Sequence, residues 1–261
     1  MRARRFQLLN RRLLASVFFA ATILSISALP AFAQTAIIVS GFGTINRTAT
    51  DGYYGTQQTP ANQAGGLIEF QHLSGAFRGF EAAYSYNRAN TTYSTYPPRS
   101  GGSTYLPPFG CFDPFGCSKA TVGANAHELT ADWTPSRLIF KQRMLLFGVL
   151  GAGLLAEVPS SSKATVVTNY PCGLPFSSGG GISIVCPGTP VTVITTSDTK
   201  AVFKPVYVYG AGIDWGLFSH LGMRIQYRGN FYSAPNMTKF FSPTGAYTHT
   251  AEPLVGIYWV L

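Results

Sequence analysis

Polar and apolar residues alternate with a period of two in eight segments of the chain. Such alternation puts successive side chains on opposite faces of a β-strand. The segments are Ala36 to Arg47, Gly66 to Leu73, Arg78 to Asn90, Gly123 to Trp133, Gln142 to Val158, Ala201 to Trp215, Leu221 to Phe231 and Thr248 to Leu261. Several are longer than the roughly 9 to 11 residues that a tilted strand needs to cross a bilayer. The pattern predicts an all-β fold of eight antiparallel strands.

The connections between the segments alternate in length. The short ones are Ser74 to Phe77, Thr134 to Lys141 and Gly216 to His220, and the long ones are Thr48 to Gly65, Thr91 to Val122, Pro159 to Lys200 and Tyr232 to Tyr247. Short periplasmic turns and long external loops are typical of outer-membrane barrels. The chain is therefore expected to form an eight-stranded transmembrane β-barrel with both termini in the periplasm.

The alternation also predicts which side chains meet lipid. The outward set is aromatic and comprises Phe80, Ala82, Tyr84, Tyr86, Tyr207, Tyr209, Ala211, Ile213, Trp215, Ile225, Tyr227 and Phe231. The inward set is small or polar and comprises Gly79, Glu81, Ala83, Ser85, Asn87, Val206, Val208, Gly210, Gly212, Asp214, Arg224, Gln226, Arg228 and Asn230. Tyr and Trp near opposite ends of a strand match the two aromatic girdles of membrane barrels.

The first 33 residues resemble a secretory signal peptide. Arginines at positions 2, 4, 5, 11 and 12 precede an apolar run that ends in Ala31-Phe32-Ala33, a small-residue cleavage site. A single transmembrane helix is the alternative, because the run is long enough to span a bilayer. Cleavage before Gln34 leaves residues 34–261 as one barrel domain.

Composition supports a chain that faces lipid. Charged residues make up 11% and aromatic residues 14%, whereas soluble domains average about 25% charged residues. Without the signal the formal net charge falls from +9 to +4, and no basic stripe with interleaved aromatics suggests a nucleic-acid partner. After residue 33 no apolar run approaches the roughly 18 residues of a membrane helix.

The last segment ends in Val255-Gly256-Ile257-Tyr258-Trp259-Val260-Leu261, with Val255, Ile257, Trp259 and Leu261 on one face. Here the chain resembles the eight-stranded outer-membrane barrels of the OmpA, OmpW and OmpX type. In those families the final alternating strand is the signal for insertion, so the resemblance implies the barrel-assembly machinery and outer-membrane lipids as partners. The Gly-Ala-Gly runs at 151–153 and 210–212 are similar to strand segments of the same families.

Seven of the ten acidic residues lie on predicted strands, namely Glu69, Glu81, Glu128, Asp132, Glu157, Asp214 and Glu252. The opposing charges are Arg143, Lys204, Arg224 and Arg228. Register predicts that Asp214 lies opposite Arg224 and that Arg228 lies opposite Glu252. It also allows Glu69 and Glu81 to lie side by side, and an arginine is then expected to offset the repulsion between the two carboxylates. Such a lumen charge network is interpreted either as a polar plug or as a gate or proton path.

Three other patterns carry candidate chemistry. His72-Leu73-Ser74 is similar to the His-x-Ser element of PagL-type lipid A deacylases, but it falls at a predicted periplasmic turn without an aligned carboxylate. His127, His220 and His249 lack metal-site spacing, so no metal or cofactor is expected. Gly41-x-Gly43 and Gly210-x-Gly212 lie within strands, where crowding in a small barrel favours glycine.

The four cysteines lie in two long connections, with Cys111 and Cys117 in one and Cys172 and Cys186 in the other. In an exported chain they predict two local disulfides, although three connectivities are possible and zinc is an alternative. Aromatic residues accompany the first pair, at Tyr93, Tyr96, Tyr105, Phe109, Phe112 and Phe115. These loops are expected to form a recognition surface for an unidentified external ligand, or else to pack on themselves.

The sequence thus predicts a non-enzymatic bacterial outer-membrane barrel with a structural or surface-interaction role. A narrow channel for small or hydrophobic solutes and a lipid-modifying enzyme are the alternatives.

Overall fold

The structure is a computed structural model that describes residues 34–51, 56–75, 77–95, 117–139, 144–170 and 191–261. The strands in these ranges are β1 (Gln34–Gly43), β2 (Ile45–Asn46), β3 (Ala49–Thr50), β4 (Thr56–Pro60), β5 (Ala64–Leu73), β6 (Gly79–Thr95), β7 (Cys117–Trp133), β8 (Ser136–Ile139), β9 (Met144–Pro159), β10 (Lys163–Tyr170), β11 (Val191–Asp198), β12 (Val202–Gly216), β13 (Leu221–Ser233) and β14 (Tyr247–Val260). None of the described residues forms a helix long and apolar enough to cross a membrane. The predicted signal peptide lies outside the described residues and stays a prediction.

Eight long strands close into one antiparallel barrel. Their order around the barrel is β1, β5, β6, β7, β9, β12, β13 and β14, and β14 returns to β1 with Ile38 opposite Tyr258. Each long strand corresponds to one predicted segment, so the all-β fold and the eight barrel strands are confirmed. Closure leaves the barrel without free edges. Every barrel strand can therefore pair its backbone groups with a neighbouring strand, as the hydrocarbon core of a bilayer requires because it offers no hydrogen-bonding partners.

Five of the six short strands lie in connections that the sequence pattern treats as loops or turns, and the sixth, β2, lies at the end of the first predicted strand segment. β3 and β4 occupy the first long connection, β8 lies in a short one, and β10 and β11 form a hairpin in the third long one. The hairpin extends the sheet beyond the barrel, because Val166 of β10 lies opposite Ala120 of β7. Treating these connections as strandless was wrong. Their Thr- and Ser-rich composition resembles a loop, but their valines and threonines pair once β7 offers an edge.

The two faces of the barrel strands follow the predicted alternation. On β6, Phe80, Tyr84 and Tyr86 are exposed, whereas Glu81 and Ala83 are buried. Three exposed tryptophans, Trp133, Trp215 and Trp259, lie near the end of the barrel that carries the short connections, which we call the turn end. Exposed Tyr86, Tyr209 and Phe231 lie toward the opposite end, the loop end. The outer face is therefore an apolar band between two aromatic rows.

The close strand packing expected at two glycine pairs occurs at only one of them. A Cβ atom at Gly210 would overlap the backbone oxygen of Tyr227, and one at Gly212 would lie 2.9 Å from the backbone oxygen of Ile225. Gly41 lies on the exposed face with no atom within 4 Å of that position, and for Gly43 the nearest is 3.9 Å away. The expectation of crowding at Gly41 and Gly43 is wrong, because the outer face has no facing strand.

Candidate functional site in the barrel lumen

Arg224 is the centre of a buried charge cluster toward the turn end. Its guanidinium binds Asp214 with two hydrogen bonds, from Nε to Oδ1 at 2.7 Å and from Nη2 to Oδ2 at 2.8 Å. Nη1 donates to Glu69 Oε2 and to Glu81 Oε2, both at 2.9 Å, and Nη2 donates to Gln71 Oε1 at 3.1 Å. One cation thus holds three carboxylates from three different strands. We call these five residues the Arg224 cluster.

Sequence register places only part of this cluster. Asp214 lies opposite Arg224 in the β12–β13 ladder, as predicted. Glu69 lies opposite Ala83 and Glu81 opposite Gln71, so the two glutamates are diagonal neighbours and not side by side as the predicted register allowed, but Arg224 contacts both. The ring of Phe147, whose centroid is 4.4 Å from the guanidinium carbon, was not foreseen. The alternation along β9 turns Phe147 toward the lumen, and this pattern could have predicted that its ring lies near the buried charges. A desolvated cation over an aromatic face adds about 2 kcal/mol of attraction.

Arg228 forms a second cluster one layer closer to the loop end. Its Nη2 donates to Glu128 Oε1 at 2.9 Å and to Thr130 Oγ1 at 2.7 Å, and it lies 3.7 Å from Asp132 Oδ2. Glu252 lies opposite Arg228 in the ladder, as register predicts. In the described part of the chain, however, the Arg228 guanidinium forms its ion pairs across the lumen, with Glu128 and Asp132 of β7, and not with Glu252 on the neighbouring strand. The strand ladder fixes which Cα atoms face each other. The contacts of a long arginine side chain depend instead on which carboxylates lie within its reach across the lumen.

The other two predicted cations do not join either cluster in the described part of the chain. Arg143 lies outside the described residues. Lys204 is half-buried, and the ion pairs of the described residues do not include it. Within the described ranges, the lumen therefore holds seven acidic side chains, each nine-tenths or more buried, and two guanidinium groups bound among them.

Residues 234–246, which we call the strap, fold over the loop end. Met237 and Phe241 are buried against Tyr93, Val122 and Val166 of the extended strands. The Tyr93 hydroxyl donates to the backbone oxygen of Pro235 at 3.0 Å and accepts from the Met237 amide at 3.2 Å. The strap thus forms a small apolar core beyond the charged lumen. Sequence reasoning missed it because the residues concerned are far apart in the chain.

Three of the four histidines have side-chain hydrogen-bond partners on the outer face. His72 Nδ1 is 3.0 Å from Thr35 Oγ1, whereas the Ser74 hydroxyl donates to the backbone oxygen of Arg78 at 2.9 Å. The two residues of the His-x-Ser element are therefore engaged with different partners. His127 hydrogen-bonds with Tyr84, and His249 hydrogen-bonds with Tyr209. These pairs satisfy polar groups within the aromatic row of the loop end.

Two cysteine-bearing segments, residues 96–116 and 171–190, begin and end on one side of the loop end. Thr95 lies opposite Ser118, so the first segment leaves and returns at adjacent strands. Tyr170 lies opposite Val191, so the second does the same. Asn169 lies opposite Cys117, which puts the two points of departure side by side. Cys111, Cys172 and Cys186 lie outside the described residues, and the disulfide pairing stays a prediction.

A closed eight-stranded barrel with an aromatic-banded outer face and a charged lumen defines a small β-barrel protein of the outer-membrane type. The chain is similar to Ail, the attachment invasion locus protein of Yersinia pestis, with 14% identity, 87% of this chain and 99% of that chain covered, and a TM-score of 0.38. It is also similar to Neisserial surface protein A, with 10% identity, 86% and 96% coverage and a TM-score of 0.37. The N-terminal barrel domain of Pseudomonas aeruginosa OprF gives 13% identity, 88% and 99% coverage and a TM-score of 0.32. At these identities the likeness concerns the fold alone. No family model and no curated protein matches the chain.

Proposed function

We propose that this chain is a non-enzymatic protein of the bacterial outer membrane with a closed, structural barrel. Its surface role belongs to the loop end, where the two cysteine-bearing segments present a recognition surface to an external ligand. Outer-membrane lipids surround the barrel, and the barrel-assembly machinery inserts it.

The filled lumen is the observation that carries the structural part of the proposal. Arg224 and Arg228 are 0% and 1% exposed, and each binds carboxylates across the lumen, Arg224 on β5 and β6 and Arg228 on β7. An eight-stranded barrel is just wide enough for its own side chains to fill it. Two such layers in series, with the strap beyond them, favour a plug over a narrow channel for small or hydrophobic solutes.

The adjacent departure points of the two segments support the recognition part. Strands β6, β7, β10 and β11 extend past the barrel and hold these points on a paired sheet. Segments displayed together on a rigid base form a larger contact surface than either would alone. The first segment supplies the aromatic residues Tyr105, Phe109 and Phe112, a residue type that is enriched at binding surfaces.

Planar-bilayer recording distinguishes the plug from the channel. We expect no sustained conductance from the native protein, and none from Arg228→Ala, because the Arg224 cluster still closes the turn end. If Arg228 were a gate, Arg228→Ala would increase the time spent open. Regular opening of the native protein, or channel activity that appears in Arg228→Ala but not in the exposed control Arg47→Ala, would contradict the closed barrel.

Replacing residues 96–116 with a short Gly/Ser linker tests the recognition surface. Cells that display the native chain and the variant at equal surface levels are applied to arrays of purified glycans and matrix proteins. We expect the variant to lose binding by about thirtyfold or more, because removal of a single hot-spot residue at an interface costs about 2 kcal/mol or more and each 1.4 kcal/mol is tenfold. Unchanged binding by a correctly folded variant would remove this segment from the proposal.

A further inference from the structure

A chamber of about 40 Å³ lies in the lumen on the loop-end side of Arg228. Its wall includes Glu128, Glu157, Asn230, Glu252 and, nearer the rim, Tyr232. A cavity needs roughly 10 to 15 Å³ of this kind of volume to hold one water molecule. The chamber therefore has room for about three water-sized particles and is too small for an organic solute.

The charge around the chamber is strongly negative. Three glutamates line it, and Arg228 shares its guanidinium between Glu128 and Asp132, which lies one step deeper. Glu157 and Glu252 make no ion pair with a basic side chain in the described part of the chain. Two buried carboxylates without a bound cation are costly in a low-dielectric interior.

Two polar atoms in the chamber wall lack a hydrogen-bond partner. They are Oε2 of Glu157 and Oδ1 of Asn230, whose residues are 5% and 1% exposed. The amide nitrogen of Asn230 donates to Glu128 Oε2 at 2.9 Å, which fixes the orientation of the amide and leaves its oxygen facing the chamber. Both atoms are acceptors. A hydrogen-bond donor or a cation inside the chamber would satisfy both atoms.

The remaining wall atoms narrow the class of cation. Side-chain oxygens come from Thr44, Asn46 and Thr250, and neither histidine nor cysteine is present in the wall. Oxygen-only surroundings suit hard cations, and Ca²⁺ accepts irregular geometry more readily than Mg²⁺ does. Among the described residues, no group of three or more acidic, histidine or cysteine side chains forms a metal centre, and the chamber offers two carboxylates and one amide oxygen where Ca²⁺ takes about six to eight oxygen ligands. A bound ion would therefore keep part of its water shell.

We propose that this chamber binds one hydrated divalent cation of the Ca²⁺ class between Glu157 and Glu252, with the amide oxygen of Asn230 as a third contact. One divalent charge neutralises the carboxylates of Glu157 and Glu252, which form no ion pair among the described residues even though Arg228 lies opposite Glu252 in the ladder. The cation joins β9, β13 and β14 across the lumen and so stabilises the loop end of the barrel.

Terbium luminescence tests the site, because Tyr232 in the chamber wall is close enough to sensitise a bound Tb³⁺ ion. The full mature chain is refolded in detergent, treated with EDTA and titrated with Tb³⁺ at neutral pH. We expect saturable luminescence that Ca²⁺ displaces. Tyr232→Phe is expected to remove most of the signal while calorimetry still detects Ca²⁺ binding.

The matched pair of variants is Glu157→Gln and Asp198→Asn. Each removes one carboxylate charge, but Asp198 is exposed and pairs with Lys239 at the surface. Even outer partners of a metal site typically change affinity by about 10- to 100-fold, so Glu157→Gln is expected to weaken Ca²⁺ binding at least tenfold and Asp198→Asn to leave it unchanged. Equal affinities for the two variants, luminescence that survives Tyr232→Phe, or no saturable binding would overturn the proposal.

Discussion

Replacement of Arg224 by alanine is expected to lower the free energy of unfolding by about 3 to 5 kcal/mol, or to prevent refolding altogether. Removing one partner from a buried ion cluster leaves charges that nothing compensates, and this costs far more than the cluster contributes as a whole. Here three carboxylates, Asp214, Glu69 and Glu81, lose the same cation at once. Urea unfolding in phospholipid vesicles measures the effect through the fluorescence of the three outward-facing tryptophans.

Two further variants separate the charge effect from the lost volume. Arg47→Ala removes an exposed arginine and is expected to change stability by less than about 0.5 kcal/mol. Combining Arg224→Met with Glu69→Gln, Glu81→Gln and Asp214→Asn removes every charge of the cluster and is expected to recover most of the stability. The account fails if Arg224→Ala unfolds like Arg47→Ala, or if the neutral combination is as unstable as Arg224→Ala.

Replacement of Gly153 by alanine is expected to destabilise the barrel by about 1 to 3 kcal/mol, and replacement by valine by more. A Cβ atom there would overlap the backbone oxygen of Leu129 and lie 2.7 Å from the Cα atom of Thr130. Backbone atoms held in the β7–β9 ladder cannot move aside as a flexible side chain does, so the strain spreads along both strands. The same vesicle-based unfolding experiment measures the change.

Gly41→Ala is the matched control, because it makes the same substitution on the outer face of a barrel strand. No atom lies within 4 Å of the added methyl group, so we expect little change in stability. Unboiled samples of both variants on a gel show whether the barrel has formed, since a folded barrel migrates differently from the boiled chain. Equal stability of Gly153→Ala and Gly41→Ala would contradict the prediction, because it would show that β7 and β9 shift apart at little cost to accept the added methyl group.

Period-two patterning was enough to predict the barrel strands, because each lies between lipid and a polar lumen. The side chains of a strand point alternately to these two environments, so local sequence carries the whole signal. The Asp214–Arg224 contact was also predictable, since a five-residue connection fixes the register of β12 against β13. The secondary-structure predictions were least accurate in the long connections. There β10 pairs with an extension of β7, and no local sequence pattern predicts this pairing.

By itself, then, the sequence determined the all-β class, the eight barrel strands and the inward position of the charged residues on the cleanly alternating strands, such as Glu81, Asp214 and Arg224. Only the tertiary structure decided that Arg228 binds Glu128 rather than Glu252, that the strap packs on Tyr93, and that Glu157 and Asn230 face one chamber. The physical reason is distance along the chain. Strand faces and short hairpins are set by neighbouring residues, whereas the contacts of Arg224 and Arg228 across the closed lumen join residues 98 to 155 positions apart.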